Sequence, residues 1–316
     1  MTDLTIIIPA FNEERFIARQ LTELRRCTAG MRAQIIVVDN NSTDGTVSIA
    51  RDSGADQVIS AAGTVATLRN KGAQLARNEA IVFMDADVFP TDRWAARLPA
   101  VVAQVVADPL LLTGSWVSVP EHPVWIEKHW FKPLENGDNS HINSGHLLTS
   151  RALFARLNGF DERLRTGEDF DLSMRARAAG ARIVDDTELK VVHEGYPKSL
   201  AEFVRREMWH GTGDCRTLRT FFSSKVAMAG FAVLHAQLLG AVAGILTGQP
   251  AYFVSSVCFA ALVSVAAAMM RYRRASARSR LVNTLLYYMY FMARGLSPYA
   301  AALRRGGKKA AGTSRH

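Results

Sequence analysis

The apolar run Ala80–Met84 ends in Asp85-Ala86-Asp87, two carboxylates one residue apart, and Val88, Phe89 and Pro90 follow at once. Side chains at i and i+2 of an extended segment leave on the same side, so the pair repels itself unless a cation lies between. A hard divalent ion such as Mg²⁺ or Mn²⁺, which prefers oxygen ligands, suits that spacing. The plain alternative is an Asp-rich turn leaving a strand. A second acidic cluster, Glu168, Asp169 and Asp171, opens a helical pattern through Arg177. Acids are ordinary at a helix N-terminus, yet a carboxylate in a dry cleft also suits general-base work.

The elements that must position these groups alternate. Strands are expected at Leu4–Ile8, Gln34–Val38, Gln57–Ile59 and Ala80–Met84, and helices at Asn12–Cys27, from about Thr46 to Asp52, at Thr64–Arg77, and from a cap at Thr91 to about Ala107. Alternation of this kind predicts an α/β fold with a mostly parallel sheet and helices on both faces. Ligands collect at the carboxyl ends of such strands. The polar clusters lie there: Pro9-Ala10-Phe11-Asn12-Glu13, then Asp39-Asn40-Asn41-Ser42, then Asp85-Ala86-Asp87. The glycine fingerprint of a dinucleotide fold is missing after the first strand, and no Gly-Lys-Ser/Thr phosphate loop occurs. An ordinary dehydrogenase or nucleoside triphosphatase is thereby excluded.

Charge divides the chain. Residues 221–316 hold 12 Lys and Arg and no acid, which leaves 26 basic against 29 acidic residues in 1–220. A basic chain is often a nucleic-acid binder. Here the cations flank apolar runs, so a membrane surface and no nucleic acid is expected. Val226–Gly248 and Ala251–Met270 carry no Asp, Glu, Lys or Arg, and each meets the roughly 20 residues that cross a bilayer. Gly248-Gln249-Pro250 joins them as a hairpin. Lys225 before it and Arg271, Arg273, Arg274, Arg278 and Arg280 after it put both ends in the cytoplasm by the positive-inside rule.

A third helix at about 281–303 reads as interfacial, with Tyr287, Tyr288 and Tyr290 at headgroup level. A full span there would carry Arg304, Arg305, Lys308 and Lys309 to the far side. The expected division is a catalytic domain over 1–220 and a membrane region over 221–316. No secretory signal pattern opens the sequence, and Cys27, Cys215 and Cys258 show no paired spacing, which fits reduced thiols facing the cytosol.

Five ordered stretches, IIIPAFNEE, VVDNNSTDGT, RNKGA, FMDADV and GFDERLRTGEDFDLSMRARAAG, resemble a family 2 glycosyltransferase of the GT-A fold, over about residues 4–210. The resemblance implies transfer of a sugar from a nucleotide-diphosphate donor with inversion at the anomeric carbon. It implies that Pro9, Ala10 and Glu13 line the base and ribose pocket and that Asp39 accepts a hydrogen bond from the base. A charge at a helix start and a strand-end turn are the alternatives for the two acids. Arg69 and Lys71 would reach the donor or its diphosphate, unless they are exposed helix charges. Asp85 and Asp87 would hold Mg²⁺ or Mn²⁺ on the diphosphate, with His193 as a further ligand or as a structural strand-end residue.

Asp169 would be the general base and Glu168 its neighbour on the acceptor side. The segment Glu121–Asn143 occupies the place of an acceptor wall, where Trp125 and Trp130 would stack on a sugar, lie against lipid or belong to a core. In FVRREMWHGTGD, Arg205, Arg206, Trp209 and His210 are candidates for an acceptor or diphosphate contact. The resemblance to the Gln-x-x-Arg-Trp element of processive relatives is loose there, because order and spacing differ. The expected protein is a membrane-bound, metal-dependent enzyme, with a glycan or polyprenyl-linked acceptor at the cytoplasmic face. A catalytically degenerate sugar-nucleotide scaffold and a nucleotidyltransferase are the alternatives.

Overall fold

The computed structural model describes residues 3–135, 141–215, 217–273 and 275–312, with Leu134 and 304–312 in backbone only. Arg274, residues 136–140 of the expected acceptor wall, and the side chains of Arg304, Arg305, Lys308 and Lys309 lie outside the described residues. Two compact units divide the chain: Met1–His122 with Leu134–Tyr196, and Pro123–Pro133 with Pro197–His316.

The first unit runs β1 (Asp3–Ala10), α1 (Ile17–Cys27), β2 (Arg32–Asp39), α2 (Thr46–Asp52), β3 (Gln57–Ser60), α3 (Val65–Gln74), β4 (Ala80–Met84), β5 (Val88–Pro90) and α4 (Asp92–Ala107). It continues with β6 (Leu111–Gly114), β7 (His146–Ser150), α5 (Arg151–Arg156), α6 (Glu168–Ala178), β8 (Arg182–Asp185) and β9 (Val191–His193). Seven strands form one sheet in the order β3-β2-β1-β4-β7-β6-β8, and β5 and β9 pair separately. The sheet is parallel except at β7, which is antiparallel to both neighbours. Its central strands are apolar on both faces, as buried parallel strands are. Ile6, Ile8 and Val82 join the core of α1 and α4, whereas Ile7, Ile81 and Phe83 join that of α3, α5 and α6. This is the period of two in a pleated strand.

The sequence pattern starts the first helix at Asn12, but α1 begins at Ile17. Asn12 sits at φ 57°, a left-handed conformation that no helix continues through. Its backbone N–H donates to Ser42 Oγ (2.8 Å) and its Oδ1 accepts from Thr43 N–H (2.9 Å), which pins the loop after β1 to the loop after β2. Thr91 does cap α4, accepting from Trp94 N–H.

The second unit holds α7 (Leu200–Asp214), α8 (Leu218–Ser223), α9 (Lys225–Thr247), α10 (Ala251–Arg271) and α11 (Ala277–Gly312). In α9 and α10 only 28% and 22% of the most apolar stretch is buried, whereas a soluble core helix would be mostly covered. Ile245 and Leu246 are 81% and 80% exposed. The buried residues of α10 are Ser256, Ala260, Ser264 and Ala268, a stripe of small side chains one per turn that admits close helix contact. Gly248, at φ 66°, turns the chain between the two helices.

Residues 197–220, expected in the catalytic domain, group with the second unit, where α7 packs: a Cβ on Gly211 would lie 2.2 Å from Ser297 Oγ of α11. The third helix, expected over about 281–303, is continuous over Ala277–Gly312. Tyr287, expected at headgroup level, is 6% exposed. It packs with Trp130, its ring centre 4.8 Å away, and Tyr272.

Candidate active site

The register explains why the acids meet. Ala10 pairs with Asp39, so the ends of β1 and β2 coincide. Because β7 is antiparallel, Met84 pairs with His146, and the loop before β7 arrives where β4 ends. Asp85 N–H donates to Gly145 O (3.1 Å) there. The small β5–β9 ladder pairs Val88 with His193 and carries the histidine to Asp87.

Arg69 is at the centre of this edge. It is 2% exposed. Its Nη2 donates to Asp85 Oδ1 (2.5 Å) and its Nη1 to Glu168 Oε1 (2.8 Å). One buried guanidinium thus joins the Asp-x-Asp element to the Glu-Asp element. Ser144 adds a second link, its Oγ donating to Glu168 Oε1 (2.9 Å) and its N–H lying 3.4 Å from Asp169 Oδ2. Both Nη groups of Arg69, expected to reach the donor or its diphosphate, bond carboxylates here. Lys71 is exposed. Two residues along a helix turn the side chain by about 200°, so it leaves α3 on another side.

His193 Nε2 lies 3.3 Å from Asp87 Oδ2. A Cβ on Gly195 would sit 1.8 Å from that oxygen, and one on Gly145 would sit 3.0 Å from Asp85 Oδ2, so each carboxylate rests against a glycine. Asp39 is 1% exposed, and Ser42 engages both of its oxygens through its N–H (2.9 Å) and its hydroxyl. Pro9 and Ala10 are buried beside it. Of the acidic pair, Glu168 is buried and neutralised by Arg69. Asp169 is only partly covered and holds Phe170 N–H (2.8 Å).

Glu13 registers the surplus of negative charge. Burial first, then Asp87, Asp85 and Asp44, push its carboxyl from 4.5 up to about 8. A folded pKa above the unfolded one means that the native state holds the extra proton between these values. Stability therefore falls as pH rises through the window from about 4.5 to 8. Glu13→Gln, which cannot ionise, is expected to gain in melting temperature over the parent across that window without divalent ions. The difference should level off above pH 8, and a difference independent of pH would remove this account of Glu13.

Among the described residues no three His, Cys, Asp or Glu side chains form a ready metal cage. Asp87 and His193 fit a cation shared with a diphosphate instead, since Mg²⁺ is held by one or two carboxylates plus phosphate oxygens. Asp85, expected as a ligand, has only Oδ2 clear of Arg69.

The remaining candidates belong to the second unit. Trp130 takes the core alternative, at 4% exposed and edge-on to Phe203. Trp125 and Trp209 are each 41% exposed, and Arg205 is exposed. Arg206 pairs with buried Glu207 (2.9 Å), which also holds Arg294 (3.0 Å). Burial, with Arg206 and Arg294, pushes the His210 imidazole down to about 3. Sequence reasoning missed Ser144, Gly145 and Gly195. The visible signals were Asn-Ser-Gly directly before an apolar strand and a glycine two residues beyond His193.

Residues 5–156 match the family described as glycosyl transferase family 2. The pre-mycofactocin glycosyltransferase of Mycobacterium tuberculosis is 26% identical over 230 residues, covering 66% of this chain and 46% of that protein. The succinoglycan biosynthesis protein ExoU of Rhizobium meliloti is 29% identical over 223 residues, 62% of this chain and 61% of its own length. The chain thus spans about half to three fifths of these relatives. The mannosyltransferase PcManGT from Pyrobaculum calidifontis, solved with GDP-Man and Mn²⁺, shares the fold with a TM-score of 0.55 at 20% identity, over 94% of this chain and 86% of that one. A mostly parallel sheet of the expected kind and acids gathered at its carboxyl edge agree with that match: the first unit has the GT-A fold, and its residues 5–156 carry the glycosyl transferase family 2 pattern.

Proposed function

We propose that the chain transfers a sugar, with inversion, from a nucleotide-diphosphate donor to a membrane-associated or glycan acceptor. The observation that carries this reading is the buried Arg69 bridge, which holds Asp85 and Glu168 to one guanidinium. It fixes a diphosphate-facing acid and the acid pair of the acceptor side in one rigid arrangement. Chemistry between two bound substrates requires such alignment. A scaffold that only bound a sugar nucleotide would have no use for the second acid pair.

In this reading Pro9, Ala10 and Asp39 line the nucleoside pocket, and Ser42 orients the Asp39 carboxylate. Asp87 and His193, with Asp85 Oδ2, would hold Mg²⁺ or Mn²⁺. When bound, the ion would neutralise charge building on the departing diphosphate. Asp169 takes the proton of an acceptor hydroxyl as its oxygen attacks the anomeric carbon opposite that diphosphate. The anomeric C–O bond to the diphosphate breaks as the new one forms. GDP-Man and Mn²⁺ in the fold neighbour support a nucleotide-sugar donor and a divalent ion. The largely uncovered apolar faces of α9 and α10 support membrane insertion. Lys225, Arg271 and Arg273 at their ends support a cytosolic catalytic domain.

The test is a panel of nucleotide sugars with Mn²⁺, scored by the rise in melting temperature of the full-length protein. One member should raise it, and Asp87→Ala should abolish the Mn²⁺-dependent part of that rise while leaving the unliganded melting temperature near the parent's. Retained Mn²⁺-dependent binding in this variant removes the metal role. A response to nucleoside triphosphates alone would favour a nucleotidyltransferase.

A further inference from the structure

A chain of rings crosses three helices of the second unit. Phe222 meets Phe221 edge-on with ring centres 5.3 Å apart, and Phe221 meets Phe231 of α9 edge-on at 5.6 Å. His235, one turn along α9, stacks on Phe231 at 3.7 Å and faces Tyr299 of α11 at 5.9 Å. His235 Nδ1–H donates to Phe231 O (2.7 Å), which leaves Nε2 to accept from the Tyr299 hydroxyl (2.5 Å). Both ring nitrogens are thus met without a charge. The group is nevertheless open at its edges, with Phe222 65% and Tyr299 47% exposed. Helix α8 buries none of its side chains, and its Leu218 is 78% exposed. An uncovered apolar face of this kind marks a contact surface rather than a packing element.

Charge fixes the level at which these rings lie. α11 runs alongside α9 in the same direction: Gly295 lies against Gly230, and about one turn on Tyr299 lies against His235. A Cβ on Gly230 would also sit 2.8 Å from Arg294 Cβ, and Arg294 holds Glu207 (3.0 Å) and Asp214 (3.4 Å). The Asp214 side chain is part-exposed, so this ion-pair network needs water and does not belong in hydrocarbon. Beyond the rings, Arg304 and Arg305 follow Leu303 in the sequence, which keeps this end of α11 from going deep. The rings therefore fall between two sets of charges, where amphipathic aromatics collect at a membrane surface. From Phe231, α9 still has about 17 residues to Thr247, the short end of what crosses a bilayer.

We propose that α8 and the Phe231–His235–Tyr299 group form a lipid-contact surface that seats the second unit in the headgroup layer of an anionic leaflet; this rests on the membrane-inserted reading of α9 and α10. The boundary on α9 then falls at Phe231, more than one turn beyond the Lys225 that charge alone selects. Leu218 and Phe222 reach the acyl boundary, as the apolar side of an interfacial helix does. Arg219 and Lys225 are exposed and meet the phosphates from the water side, and no acid follows Asp214 in the chain to oppose them.

The experiment places the full-length protein, carrying Cys27→Ala, Cys215→Ala and Cys258→Ala, in nanodiscs of phosphatidylcholine and phosphatidylglycerol. Leu218→Cys, Lys225→Cys and Leu239→Cys are then made singly and spin-labelled, all three positions being exposed. Power saturation compares collisions with oxygen, which dissolves in lipid, and with a water-soluble nickel chelate. Leu239 should be reached by oxygen and Lys225 by nickel, and Leu218 should show an oxygen-to-nickel ratio several-fold above that of Lys225. A Leu218 label as open to nickel as that at Lys225, beside a deep Leu239, overturns the lipid-contact surface and leaves the membrane reading standing. A Leu239 label open to nickel sinks both. Dipolar broadening between Leu218 labels on two copies, lost on dilution with unlabelled protein, assigns the surface to a second copy of the chain and overturns the proposal as well.

Discussion

Asp169→Asn is expected to lower sugar transfer by roughly 10²–10⁴, the usual cost of losing a general base, while nucleotide affinity holds. The substitution is close to isosteric, so the fold has little reason to respond. Asp169 is partly covered, its Oδ1 accepts from Phe170 N–H, and its contact with Ser144 N–H is long at 3.4 Å. An asparagine keeps one carbonyl oxygen for the first of these and cannot take a proton from an attacking hydroxyl. Donor affinity should persist because the nucleoside elements lie on β1 and β2 and the diphosphate acids follow β4. The measurement is kcat beside the nucleotide-sugar dissociation constant for parent and variant. A loss of binding as large as the loss of rate would make Asp169 a binding or structural residue. The acidic neighbour is the poorer candidate, because Glu168 is buried and already bonded to Arg69 and Ser144.

The sheet was legible because its strands are unbroken apolar runs that end abruptly in Asn, Asp and Glu. Asp85 and Asp87 stand out for the same reason: nothing in a buried strand explains them. What stayed hidden depends on direction. Nothing in His146–Ser150 says that it runs against its neighbours, yet that reversal is what brings Ser144 and Gly145 to the end of β4.

The fate of Arg69 was readable in part. Ala66, Arg69, Gly72 and Ala73 recur at helical spacing and are all buried, whereas Lys71 falls between them. The wheel distinguishes the two cations, but the partners of the inward one lie 16 and 99 residues away. In the second half, charge and packing mark different boundaries. Acids end at Asp214, so the charge split falls near 220, but α7 packs by Phe203 and Gly211 within the second unit. Composition cannot separate Trp130 and Tyr287 as interfacial anchors from the same residues as core, since both roles need a large ring with a polar tip.

Arg69 is where a single substitution should do most harm, and two variants separate its charge from its shape. Arg69→Met keeps the bulk but strands Asp85 and Glu168 without their counter-charge. Breaking a buried ion pair in this way costs about 3–5 kcal/mol, and a domain of this size loses about 2–4 °C per kcal/mol. The melting temperature should therefore drop by roughly 6–20 °C, with transfer lost. Adding Glu168→Gln to Arg69→Met should return part of the stability, because one of the two stranded charges is gone, and none of the transfer. Arg69→Lys retains the charge, but a single ammonium on a flexible stem cannot bond both carboxylates in the geometry of a planar guanidinium. It should melt closer to the parent and still transfer poorly, because Asp85 and Glu168 are no longer held at a fixed separation. The decisive comparison is between stability and turnover in the lysine variant. Parental turnover there would mean that the positive charge suffices, and that the two acidic elements need no common guanidinium to work together.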